Sequence, residues 1–105
     1  MYYNYCVDSE NVLEWDEEKW QKNIAERGID FADAVEVLSD PNVFIIPDVR
    51  KDYGEERFNA YGISKGRRIR LCFTRRGDNV IRVISMFRVH KKEWSKNHGN
   101  SQNDF

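Results

Sequence analysis

The spacing of apolar residues changes once along this chain, at Asp40-Pro41, and that change sets the fold class. Upstream, Trp20 and Ile24 lie four apart, and Phe31, Ala34, Val35 and Leu38 follow at i, i+3, i+4 and i+7. That is a helical period. Asp16 stands where a carboxylate caps a first helix, Glu17 and Glu18 fall in its first turn, and Gly28 stops it. Asp30 caps a second helix, which Asp40-Pro41 ends. Downstream, Val43 to Ile46 is a short apolar run that reads as a buried strand. Strands follow over about 57–64, 67–75 and 80–87, with Lys65-Gly66 and Gly77-Asp78 as hairpin turns between them. Strands joined this tightly run antiparallel. Residues 12–15 read as one more short strand, and 90–97 as a last short helix.

The expected fold is therefore α+β: two N-terminal helices packed on an antiparallel sheet of about four strands, with a short C-terminal helix. A chain of 105 residues is one domain. It is expected to span residues 1–96, followed by a small, polar, disordered tail over 97–105.

Charge follows the same boundary. Residues 1–47 hold three basic and eleven acidic side chains, a net −8; residues 48–105 hold fourteen basic and seven acidic, a net +7. The acidic half is mostly helix and the basic half mostly sheet. Either the sheet presents arginines to a polyanion, or the charge guards a solvated sheet edge. Arg is the side chain that grips phosphate in a two-pronged way.

Several classes are excluded. No apolar run approaches about 18 residues, so no membrane helix is expected. The start, Met1-Tyr2-Tyr3-Asn4-Tyr5, lacks the basic and apolar stretches of a signal peptide, so a cytoplasmic location is expected. Two Cys and two His, all far apart, make no zinc site, and no cofactor is expected. A disulfide between Cys6 and Cys72 is not expected in a reducing compartment, and Cys72 reads as a core thiol.

Arg82 is the one charge in an otherwise apolar strand, Val80 to Phe87. A charge there is costly unless paired or lining a cleft. It is either a site residue or the partner of a carboxylate from the helices. Register decides its neighbours. A strict two-residue Gly77-Asp78 turn sets Arg82 opposite Phe73; a slip of one sets it on the face of Arg68 and Arg70.

At this point the motifs resemble a family. Trp15-Asp16-x-x-Lys19-x-x-x-Asn23-x-x-x-x-Gly28 is similar to the opening of the BrnT-type toxins of bacterial toxin–antitoxin pairs. Phe31 through Asp40-Pro41, Asp48-x-Arg50, Tyr53-Gly54-Glu55-Glu56-Arg57-Phe58, Gly62, Thr74-x-Arg76-Gly77-Asp78 and Ile81-Arg82-x-Ile84-Ser85 follow in order. The resemblance covers roughly residues 12–93. It implies a RelE-like ribonuclease fold and RNA cleavage that blocks translation. It implies a small ribbon-helix-helix antitoxin of the BrnA kind as partner, assembled with the toxin as a heterotetramer. Two positions depart from the family pattern. Glu26-Arg27-Gly28 stands where Lys-His-Gly is usual, and Phe87 stands where an Arg is usual, with Arg88 next. Phe87 leaves open the alternative of a weakened or inactive module that binds RNA or antitoxin.

Metal-free RNA cleavage needs a base for the 2′-hydroxyl, cations for the transition state and an acid for the leaving oxygen. Arg57, Arg76 and Arg82 are the candidate cations, joined by Lys19; each placed cation can contribute ~3–4 kcal/mol. Glu56 is either the base or the ion-pair partner of Arg57. His90 is either a helix cap or an acid. Arg68, Arg70, Arg75 and Arg88 are candidate RNA contacts. Tyr53 and Tyr61 either stack on bases or pack. Trp15 and Trp20 are expected in the core.

Overall fold

Asp16 turns the chain from strand to helix. In a computed structural model, which describes residues 2–6, 12–50 and 52–98 and the side chains of 12–50 and 52–96, its carboxylate accepts a bond from the Lys19 N–H at the start of α1 (Glu17–Arg27). Trp15, at the end of β2 (Val12–Asp16), packs against Trp20 one helical turn on and against Phe31 beyond. The second helix is shorter than expected. Asp30 accepts bonds from both the Ala32 N–H and the Trp20 indole, which tightens the first turn, Phe31–Asp33, into a 3₁₀ helix. Only Ala34–Ser39 (α2) is α-helical.

The sheet corrects the expectation of about four antiparallel strands. Among the described residues it has six strands in a mixed arrangement, ordered β1-β2-β6-β5-β4-β3. Beyond β2 they are β1 (Tyr2–Cys6), β3 (Phe44–Pro47), β4 (Phe58–Ser64), β5 (Arg67–Arg76) and β6 (Val80–Arg88). The run β3-β4-β5-β6 is antiparallel as expected. β2, however, lies parallel to β6, with Val12, Leu13 and Glu14 opposite Val80, Ile81 and Arg82. Parallel neighbours need a long crossover, and here residues 17–79 supply it. Lys65 and Gly66, both with positive φ, make the two-residue turn that joins β4 to β5.

Side chains of paired strands divide into two faces. One face, with Leu13, Ile69, Leu71, Phe73, Val83 and Met86, is covered by α1 and α2 and forms the core with Phe31 and Val37. Each such large apolar side chain, fully buried, is worth about 1.5–3 kcal/mol. Asn23 ties this layer together: its amide donates to Ile29 O, and its Oδ1 accepts from Arg27 and from Met86 N.

The other face is partly roofed by the 48–57 loop and by α3 (Lys91–His98). Cys72, expected in the core, is buried on this second face, between Asn59 on β4 and Ser85 on β6. The tail expected over 97–105 lies, past His98, outside the described residues, as does the side chain of Cys6. No described helix is long and apolar enough to cross a membrane.

Candidate nucleic-acid interface

The hairpin between β5 and β6 settles the register of Arg82. Arg76 pairs with Val80, so the turn has three residues, and Arg82 sits opposite Thr74. It therefore shares a face with Arg68 and Arg70. Between Val83 and Ser85 the strand carries one extra residue, Ile84, a bulge that keeps Phe87 on this same face, opposite Arg70. Arg88 falls opposite Ile69, on the other side.

Arg57, Arg68, Arg70, Arg76 and Arg82 thus belong to the loop-and-α3 face. Arg75, opposite Ile81, and Arg88 belong to the helix side and are exposed. Lys19 stands apart on α1, which packs on the other face of the sheet, and is exposed. Arg76 is exposed at the hairpin end, six residues from Arg70, or about 20 Å along the strand.

Three guanidiniums of this face, those of Arg57, Arg70 and Arg82, each hold a carboxylate. Arg82 Nε donates to Glu14 on the parallel strand at 3.0 Å, so its partner comes from the sheet and not from the helices. Arg57 pairs with Glu55 at 3.1 Å, not with Glu56, and lies 4.0 Å above the Tyr53 ring. The Glu56 side chain is exposed, and its carbonyl accepts a 2.6 Å bond from the Thr74 hydroxyl beside Arg82. That bond lays the loop across the sheet. Arg70 donates to Glu93 of α3 at 2.9 Å, and the same Glu93 oxygen accepts from Tyr61 OH at 3.1 Å. Burial, and then the bond to Glu93, pushes the Tyr61 hydroxyl up in pKa.

Asp48 anchors the loop. It takes a two-pronged grip from Arg50, at 2.8 Å to each oxygen, and a 3.3 Å bond from Tyr53 OH. Its N–H donates to Arg57 O. The Arg50 guanidinium holds the Asp48 carboxyl down at about 2, against an ordinary 3.8. A lowered folded pKa stabilises the fold above about pH 4 and loses that contribution as pH falls toward 2. Acid melting curves are expected to lose about 1 kcal/mol in that window, the gain being screened around the exposed Arg50. Asp48→Asn should flatten this limb; an unaltered acid limb in the variant would rule Asp48 out as its source.

Between the loop, the sheet and α3 lies a cleft of about 680 Å³, lined by Asp48, Arg50, Asn59, Tyr61, Arg70 and His90 among others. His90 is exposed, and its carbonyl accepts the first bond of α3, from Trp94 N. Burial pushes the nearby Cys72 thiol up in pKa, against the pull of Arg57, Arg70 and Arg50. Arg50 from the loop and Arg70 from β5 thus line the same cleft. Sequence reasoning found Arg70 and Arg57 but missed Glu93 and Asn59; Glu93 lies in a helix that reads as a surface element. Among the described residues, no three His, Cys, Asp or Glu side chains gather as metal donors.

The family model described as "Ribonuclease toxin, BrnT, of type II toxin-antitoxin system" matches residues 15–93. The chain belongs to the BrnT family. The crystal structure of the Brucella abortus ribonuclease toxin, BrnT, at 1.1 Å resolution, is similar to it with a TM-score of 0.58 and 35% sequence identity, over 73% of this chain and 94% of that one. No curated protein matches. The chain is thus a BrnT-type ribonuclease toxin of a type II toxin–antitoxin system, and an antitoxin partner is implied. The two departures from the BrnT pattern meet in space. The Arg27 guanidinium lies 4.1 Å from the Phe87 ring centroid, and Arg70 lies 4.5 Å from the same centroid.

Proposed function

We infer that this toxin cleaves single-stranded RNA by a metal-independent route on the loop-and-α3 face, and that this blocks translation in the cytoplasm. The observation that carries the reading is the register that sets Arg68, Arg70, Arg76 and Arg82 on one face of the sheet, beside a cleft lined by Arg50 and Arg70. In such a reaction the 2′-oxygen attacks the adjacent phosphorus as a base takes its proton. The bond to the 5′-oxygen breaks as an acid protonates it, leaving a 2′,3′-cyclic phosphate and a 5′-hydroxyl. Arg57, Arg70 and Arg82 stabilise the charge on the phosphorus centre. Glu56 and His90 are the proton-transfer candidates of this face; Glu93 is engaged by Arg70 and Tyr61. Arg68 and Arg76 extend the track for the RNA backbone along β5, and Tyr53 offers a ring beside Arg57. Lys19, Arg75 and Arg88 lie outside this track. Phe87 does not leave its position without positive charge, because Arg27 and Arg70 both lie against its ring; this supports turnover over a purely binding role.

The antitoxin we infer is a small ribbon-helix-helix protein of the BrnA kind, joined with the toxin in a heterotetramer. The test is incubation of the purified toxin with RNA in EDTA. Expected products carry cyclic phosphate ends, and cleavage stops on adding the antitoxin. Intact RNA would remove the nuclease reading for this chain. Cleavage abolished by EDTA would remove the metal-free route alone.

A further inference from the structure

The cleft beside Arg70 has a floor that folding does not explain. Asn59 is 6% exposed, and its Oδ1 is buried with no hydrogen bond. A buried polar atom left without a partner costs about 1–3 kcal/mol, and native proteins carry few of them. Nothing in the strand calls for an amide at this position. Its backbone pairs with Cys72 in the regular ladder, and an apolar side chain of similar size would fill the space. Its diagonal neighbour Arg70 has a buried Nε that is also without a hydrogen bond, while its terminal nitrogen holds Glu93.

Around these groups the cleft is divided by chemistry. Ile46, Pro47 and Val49 give an apolar wall, and Arg50, Lys92 and Lys96 give a cationic one. Its two acids, Asp48 and Glu93, are already held by Arg50 and Arg70. A volume of about 680 Å³ falls within the ~300–1,000 Å³ range of small-ligand sites. An apolar wall, an unsatisfied amide and a rim of cations suit one nucleotide: a flat base, a hydrogen-bonding edge and a phosphate.

We propose that this cleft is a nucleobase subsite in which the Asn59 amide reads the edge of an adenine in single-stranded RNA. The inference rests on the ribonuclease reading above and deepens it. An amide sets an acceptor beside donors. Adenine presents the complementary donor and acceptor, and Asn commonly meets it in this two-bond fashion. Unstacked bases of single-stranded RNA expose the edges that such a group can read. Arg50, Lys92 and Lys96 then take the phosphate of the same nucleotide, which orients the chain toward Arg70.

Two measurements test this. In the first, the four nucleoside 5′-monophosphates are titrated into the wild-type protein and followed by amide NMR. AMP is expected to shift the Asn59 side-chain NH₂ signals and to bind about tenfold more tightly than UMP. Unmoved Asn59 signals with all four nucleotides would overturn the subsite. In the second, Asn59→Leu is expected to melt at or above the wild-type temperature and to lose about tenfold in its preference for cutting at adenine. Unchanged base preference would overturn the proposal, and so would a lowered melting point, which marks a structural amide. Perturbation of Asn59 by the antitoxin and by no nucleotide would give the cleft to the partner protein instead. Lack of RNA cleavage with AMP binding intact would remove the nuclease reading and leave the subsite standing.

Discussion

Arg70→Ala is expected to slow RNA cleavage by about 10²–10³-fold, the loss typical of removing one placed donor from a transition state. Arg70 touches more of the candidate site than any other arginine: Glu93 at 2.9 Å, the Phe87 ring at 4.5 Å and the wall of the cleft. Its ion pair with the partly exposed Glu93 stabilises the fold by only about 1 kcal/mol, because solvent screens it. Activity and stability should therefore separate. Single-turnover cleavage should fall by orders of magnitude while the melting temperature drops a few degrees. Arg70→Lys keeps the charge but loses the planar fork, and should recover only part of the rate. If Arg70→Ala cuts RNA at the wild-type rate, the cleft is not where the phosphate reacts.

The second large effect is structural. Gly62 lies where β4 passes under α2, and a Cβ there would sit 2.6 Å from the Val37 carbonyl oxygen and 3.0 Å from its Cγ1. The obstructing atom is backbone, so the helix itself has to move. Overpacking of this kind costs about 3 kcal/mol, a large part of the ~5–15 kcal/mol that holds a domain of this kind. Gly66→Ala serves as the contrast. Its φ is +74° and a Cβ would meet nothing within 4 Å, so only conformational strain of about 1–2 kcal/mol applies. Urea unfolding of Gly62→Ala and Gly66→Ala checks the order. Equal losses would mean that α2 does not bear on β4 as described.

Local chemistry wrote most of the elements into the sequence. The Asp16 cap, the stop at Gly28, the change of period at Asp40 and the Lys65-Gly66 turn each act within a few residues, and each stands where those residues place it, whereas the turn at Gly77-Asp78 takes in Asn79 as well. What could not be read depends on partners far along the chain. The parallel contact of β2 with β6, the strand formed by Tyr2–Cys6 and the burial of Cys72 on the second face are decided by tertiary packing. Arg82 stood out from its strand, yet its partner Glu14 is 68 residues away. The bulge at Ile84 is equally silent in sequence, although it decides that Phe87 and not Arg88 shares the face of Arg70. In the candidate site, arginines could be found by type. Asn59 could not, because an amide in a strand gives no sign of being left unbonded until its neighbours are known.

The side-by-side contact of β2 and β6 also governs the order of assembly. Antiparallel ribbons close over a few residues, whereas this pairing must bring residue 12 against residue 80, and such distant closures are slow. During synthesis on a ribosome, β2, α1 and α2 emerge before the strands β3 to β6 that they pack on. Arg82 and Glu14 meet only once β6 has been made, so this side of the toxin's surface is completed after the antiparallel ribbons that precede it.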